Sequence, residues 1–195
     1  LTAMTESAKI VSRGNAAVAI GGGLGRSKET HEAILEYLSN VSLPVVVDAD
    51  AIHAVAQRSD IFQGKNFLFT PHGYEFFVLT GKEVIGKSDE ERIKIVQEEA
   101  LRLKTTILLK GRIDIISNGR EVAVNKTGNP YMTTGGCGDT LTGICGALMA
   151  RGISPFLAGQ AGAYINGKAA EIASQTKKDG LLATDLIEAK KSANR

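Results

Sequence analysis

Four short runs of apolar residues, each followed by a stretch with helical spacing, most constrain how this chain can fold. They are Ala16–Ile20, Pro44–Asp48, Asn66–Thr70 and Thr105–Leu109. A strand with one wet face alternates apolar and polar side chains, so a continuous apolar run marks a strand covered on both faces. Such strands separated by amphipathic helices predict an α/β fold with a largely parallel sheet. Helical spacing is carried by Ala33, Ile34, Leu35 and Leu38 after Ser27. It returns with Ile93, Val96, Ala100, Leu101 and Leu103 after a Ser88-x-x-Glu91 capping box. Shorter helices are expected over 51–57 and 75–79, the second stopped by Gly81. Asn118-Gly119 between Ile113–Ser117 and Glu121–Val124 predicts a hairpin. Later helices run to about Ala150, from Ser154-Pro155 to about Thr176, and from Thr184 onward, while Leu1 opens a short helix or loop. The 195 residues are expected to form one domain.

Ligands of open parallel sheets bind beyond the carboxyl ends of the strands. Gly21–Gly25, Asp48 with Asp50, Thr70–Glu75, Lys110 and Asp139 all fall at such ends. The segment Thr133-Thr134-Gly135-Gly136-Cys137-Gly138-Asp139-Thr140 is the richest of them. Glycine lets backbone approach a ligand closely, and the helix that follows offers unpaired N–H groups at its positive end. Together these predict an anion site, most naturally for phosphate. Asp139 then lies where negative charge binds, which fits a general base beside a transferring phosphate better than the plain alternative of an N-cap.

Other motifs are excluded or left open. From Gly21 and Gly23 a dinucleotide fingerprint needs a third glycine at position 26, which is Arg26. No Gly-x-x-x-x-Gly-Lys-Ser/Thr occurs, so this is not a P-loop NTPase. His72 and Glu75 share a turn after a strand, His72 being either a solvent-facing turn residue or a ligand contact. Lys110 is either a phosphate-pairing charge or a solvated strand end. Asp48 and Asp50 could share Mg²⁺, although a helix cap is the favoured role for Asp50. Cys137 and Cys145 have neither zinc spacing nor a nearby His cluster. A disulfide is not expected between them, which points to the cytoplasm. A net charge of +2 gives no support for a nucleic-acid or membrane-surface partner. No run reaches the roughly 18 apolar residues of a membrane span, and no signal peptide is visible.

Taken in order, Val18-Ala19-Ile20-Gly21-Gly22-Gly23-Leu24-Gly25, Val46-Val47-Asp48-Ala49-Asp50-Ala51, Thr70-Pro71-His72-x-x-Glu75, Leu109-Lys110-Gly111, Gly128-Asn129-Pro130 and Gly135–Asp139 resemble the NAD(P)H-hydrate dehydratases. The resemblance implies a ribokinase-like three-layer α/β/α fold whose opening strands and helices precede Leu1. It implies repair of hydrated NADH or NADPH: phosphorylation of the C6 hydroxyl from ADP or ATP with Mg²⁺, then elimination of phosphate. Asp139 would be the catalytic base. Gly25, His72, Glu75 and Asp139 would contact the hydrated dinucleotide. Lys110, Gly111, Arg112, Ile113, Asp114, Asn129, Gly135, Gly136, Cys137 and Gly138 would hold the nucleotide. Members of this kind are often homo-oligomers, commonly tetramers, and often fused to an epimerase domain.

Two departures stand out. Gly73-Tyr74 replaces the family's Pro-Gly, and Cys137 replaces its usual Thr. The His72 turn and Asn129-Pro130 look bacterial or archaeal, which favours ADP over ATP. The small-residue helix 157–173 is either core or a subunit contact. A small-molecule alcohol kinase of the same superfamily and a non-catalytic nucleotide-binding module are the alternative functions.

Overall fold

The computed structural model describes residues 14–192, so the expectation at Leu1 lies outside the described residues. Among them six strands form one sheet in chain order: β1 (Val18–Ile20), β2 (Val45–Val47), β3 (Phe67–Phe69), β4 (Thr106–Leu109), β5 (Asp114–Ser117) and β6 (Val122–Asn125). The first four are parallel, with Val18 opposite Val45, Val45 opposite Phe67 and Leu68 opposite Thr106. The last two turn antiparallel, Leu108 facing Ile116 and Ile116 facing Ala123. At the predicted hairpin, Asn118 Oδ1 accepts from the N–H groups of Arg120 and Glu121.

Helices cover both faces. On one side pack α1 (Lys28–Asn40), α2 (Ala49–Val55), α3 (Gly73–Thr80) and α4 (Asp89–Leu103). On the other lie α5 (Cys137–Ala150) and α6 (Pro155–Lys177), flanked by α7 (Ala183–Ser192). Strand side chains alternate between faces. Val45, Val47, Phe67, Phe69, Ile107 and Leu109 therefore meet Ile34, Leu38, Ile52, Phe76 and Val96. Val46, Leu68, Leu108 and Ile116 meet Leu141, Cys145, Met149 and Ala158. This is the three-layer α/β/α arrangement, and the sheet is buried on both faces as its apolar runs require.

Local chemistry sets the helix starts. Ser27 Oγ accepts from the Thr30 N–H at 3.2 Å. Ser88 and Glu91 close the expected capping box, at 3.2 and 2.9 Å. Two helix starts lie two residues ahead of expectation. Helix α3 begins at Gly73 rather than Glu75, because the His72 imidazole caps it. Helix α2 starts at Ala49, two residues early, after a sharp turn described below. The small residues of α6 serve the core. A Cβ on Gly159 would lie 3.1 Å from Ile116 Cγ2, and one on Gly162 only 2.5 Å from Cys145 Sγ, so glycine lets α6 sit close on both sheet and α5. Among the described residues no helix is long and apolar enough to cross a membrane.

Candidate active site

The glycine loop ends in α5, whose N-cap is Gly136 at φ 92°. A Cβ there would lie 2.9 Å from Ala183 Cβ, so the left-handed turn and the approach of α7 both call for glycine. The first i→i−4 bond of α5 runs from the Thr140 N–H to Gly136 O at 3.0 Å. The N–H groups of Cys137, Gly138 and Asp139 thus belong to the first turn, where a helix has orphan donors and its positive end. Of these, Cys137 N–H already reaches Thr134 O, at 3.4 Å. The Cys137 side chain turns inward against Ala169, Ala170 and Leu186, so its replacement of Thr alters packing more than the face of the loop.

Asp139 is exposed and stands in the first turn, three positions beyond the N-cap. It is not the cap, which disposes of the plain alternative. Its carboxylate faces the first glycine loop: a Cβ on Gly22 would come within 2.6 Å of Asp139 Oδ1. In that loop Gly25 donates its N–H to Asp50 Oδ2 at 2.9 Å, and Arg26 Nε reaches Asp50 Oδ1 at 2.7 Å. The Arg26 guanidinium, then the Gly25 N–H, hold the Asp50 carboxyl below the usual carboxylate range. The expected capping role of Asp50 is therefore corrected. It lies inside the first turn of α2 and is spent on the glycine loop.

Asp48 holds the N-cap position of α2 but makes no capping bond. The chain leaves β2 through Ala49 at φ 46°, a left-handed turn that costs about 1 kcal/mol for a residue with a Cβ. The Asp48 side chain, 4% exposed, points across the strand ends. It accepts from Lys110 Nζ at 2.8 Å and from Thr142 Oγ1 of α5 at 3.1 Å. Lys110 is also 3.9 Å from Glu75 Oε2, and Glu75 Oε1 is 3.3 Å from His72 Nε2. His72 Nδ1 accepts from the Tyr74 and Glu75 N–H groups, at 3.2 and 3.4 Å, while Glu75 Oε2 accepts from the His72 N–H. This capping box survives the Gly73-Tyr74 replacement, since Gly73 occupies the first helical position and contributes no side chain to it.

The structure thus brings Lys110, Glu75, His72 and the Gly138 backbone around Asp48, with Asp139 across from Gly22. It separates others. Gly111 N–H is bonded to Asp114 Oδ1, whose partner oxygen accepts from Asn125. Burial pushes the Asp114 carboxyl up, against the Asn125 and Gly111 hydrogen bonds. Arg112 pairs with Asp89 and faces solvent, and the Ile113 side chain is in the main core, so its expected nucleotide contact can come only from backbone. The Asn129 side chain is likewise spent, on Tyr131 N–H, Ala170 O and Ser174 Oγ. Among the described residues no group of three or more His, Cys, Asp and Glu is arranged to hold a metal ion. An all-protein Mg²⁺ site does not fit here, and Asp48 and Asp50 already have cationic partners.

A cavity of about 300 Å³ lies elsewhere, at the opposite end of the strands, between Thr106, Asn118, Glu121 and Phe156. Sequence reasoning missed Thr142, although its place three residues beyond Asp139 puts both on one helix face. Neither cysteine is in a disulfide, and both are buried. Burial, then the negative charge of Asp48 and Asp114, pushes the Cys145 thiol up to about 12. Ellman's reagent at mildly alkaline pH is expected to reach Cys145 only after denaturant is added. Rapid labelling in the native Cys137→Ser variant would contradict this burial.

A mixed sheet between two helical layers, with a glycine loop opening α5 at its carboxyl rim, makes this a ribokinase-like protein. A ribokinase-like superfamily protein from Enterococcus faecalis superposes over 97% of this chain and 67% of its own, with a TM-score of 0.80 and 25% identity. A family model described as NAD(P)H-hydrate dehydratase matches residues 2–192, and the chain belongs to that family. The ADP/ATP-dependent NAD(P)H-hydrate dehydratase from Bacillus subtilis, co-crystallised with ATP/Mg²⁺, is 30% identical, with a TM-score of 0.79 over 91% of this chain and 63% of its own. The bifunctional NAD(P)H-hydrate repair enzyme Nnr of Hyperthermus butylicus is 42% identical over 177 residues, 88% of this chain. The chain spans about a third of the length of that relative, 33%.

Proposed function

We propose that this chain carries the nucleotide-dependent dehydration of hydrated NADH or NADPH. The observation that carries the reading is Asp139, exposed on the first turn of α5 with its carboxylate close against Gly22, where the two glycine loops meet. In this reading Asp139 takes the proton of the C6 hydroxyl. The freed oxygen attacks the terminal phosphorus of ADP or ATP, and the bond to the bridging oxygen breaks, releasing AMP or ADP. The ring nitrogen then expels phosphate from C6 while C5 loses a proton, which restores the C5–C6 double bond.

First-turn N–H groups of Gly138 and its neighbours would steady the migrating phosphoryl group at the positive helix end. Lys110 supplies the nearby cation. Gly25 and His72 line the side where the dinucleotide would lie, with Glu75 holding the imidazole. Gly111, Arg112, Asp114, Asn129 and Gly135 complete the proposed nucleotide side, Ile113 and Asn129 through backbone only. Mg²⁺ would enter with the nucleotide's phosphates, as it commonly does; the Bacillus subtilis relative's crystallisation with ATP/Mg²⁺ supports this. We take ADP as the preferred donor, the cytoplasm as the location and a homo-oligomer as the assembly. The bifunctional relatives support an attached or partner epimerase domain.

The test follows recovery of the dihydronicotinamide absorbance band. Protein, Mg²⁺ and chemically hydrated NADH or NADPH are mixed, with ADP and ATP in separate arms. Recovery that requires nucleotide is the expected result. Nucleotide binding without recovery, in a chain that includes all residues of the natural polypeptide, would remove the dehydratase reading in favour of a kinase for another alcohol or a binding module.

A further inference from the structure

We infer that Asp48 is a positioning residue that registers the Lys110 ammonium and the Asp139-bearing helix to one buried carboxylate. The inference rests on the function proposed above. Three elements converge on this one side chain. Lys110 comes from the end of β4, Thr142 from α5, and Asp48 itself from the end of β2. The contact is made at close quarters. A Cβ on Gly138 would sit 3.5 Å from Lys110 Nζ and 3.7 Å from Asp48 Oδ2, so the ion pair lies directly beneath the glycine loop. Thr142 is one turn beyond Asp139, and holding its hydroxyl fixes the rotation of the helix that presents Asp139 to Gly22.

The alternative role for Asp48 is structural, as the N-cap of α2, and the geometry speaks against it. The side chain makes no capping bond, and Ala49 takes a strained left-handed conformation next to it. Strain of this kind persists where surrounding structure over-determines a position, often at a functional site. The pairing also has a consequence of sign. The Asp48 carboxylate competes with bound phosphate for Lys110, so it costs nucleotide affinity while fixing where the cation stands.

Asp48→Asn keeps shape and one acceptor for Thr142 but releases Lys110. In the full chain it is expected to lower kcat about tenfold or more, while the Kd for ATP with Mg²⁺ stays level or tightens. A merely structural role predicts the reverse pattern, weaker ATP binding in step with lost turnover and a lower Tm. Equal kcat in variant and wild type, or a Kd raised along with the fall in kcat, would overturn the inference. Thr142→Val removes a single arm and is expected to lower kcat about threefold with the Kd for ATP unchanged; an unaltered kcat there also counts against it. ATP binding is read without turnover. Absence of wild-type dehydration therefore defeats the function proposed above, whereas ATP binding weakened tenfold in folded Asp48→Asn defeats this inference alone.

Discussion

Asp139→Ala is expected to reduce dehydration by a factor of ~10² or more and to leave the fold intact. The residue is exposed and makes no cap, so truncation creates no cavity and strands no buried group. A first-turn acid gains only about 0.3–1 kcal/mol from the helix dipole. Its loss is therefore small against a typical folding free energy of about 5–15 kcal/mol. Nucleotide affinity should hold or improve, because a carboxylate beside phosphate repels it. Single-turnover dehydration, ATP titration and a thermal melt together check this. Turnover within tenfold of wild type would show that another group takes the proton.

Gly21→Ala is expected to destabilise the protein by about 3 kcal/mol or more, among the largest effects of any single methyl group here. Its Cβ would lie 1.7 Å from Asp48 O and 2.6 Å from Asp48 C, and φ is +140°. Those are backbone atoms at the end of β2, fixed by the Asp48 N–H to Ile20 O bond at 3.0 Å, and they cannot swing aside. At roughly 2–4 °C per kcal/mol for a chain of this size, the melting temperature should fall by about 6–12 °C. Gly23→Ala is the control in the same loop. Nothing lies within 4 Å of its Cβ, and only φ +71° opposes it, at a cost of about 1 kcal/mol. Similar melting temperatures for the two variants would mean that the loop can move away from β2.

Much of this was legible because burial on both faces leaves a plain signature. All four apolar runs became parallel strands, and Asn118-Gly119 became the hairpin. What stayed hidden was side-chain direction. Asp48 and Asp50 look alike in sequence, yet one turns to Lys110 and the other to Gly25 and Arg26. The reason is a left-handed Ala49, which no propensity announces. For His72 the sequence leaves a turn residue and a ligand contact both open and gives no sign of a cap, since histidine is an uncommon one, yet its Nδ1 closes a capping box in the manner of Ser88. Asn129 has the composition of a binding residue, but distant partners on α6 decide its use. Spacing reports neighbours along the chain, whereas these contacts cross it.

The strand order has a consequence for how the molecule is made. Each strand pairs with the strand just before or after it in the chain. Among the described residues, strands can therefore be added one at a time in chain order, without threading a later strand between two already joined. The steps are unequal in difficulty. Joining Ser117 to Val122 closes a hairpin, whereas joining Leu68 to Thr106 must first order everything between them, including α3 and α4. Because loop closure costs more entropy over longer separations, the β3–β4 junction carries the larger ordering cost of the two.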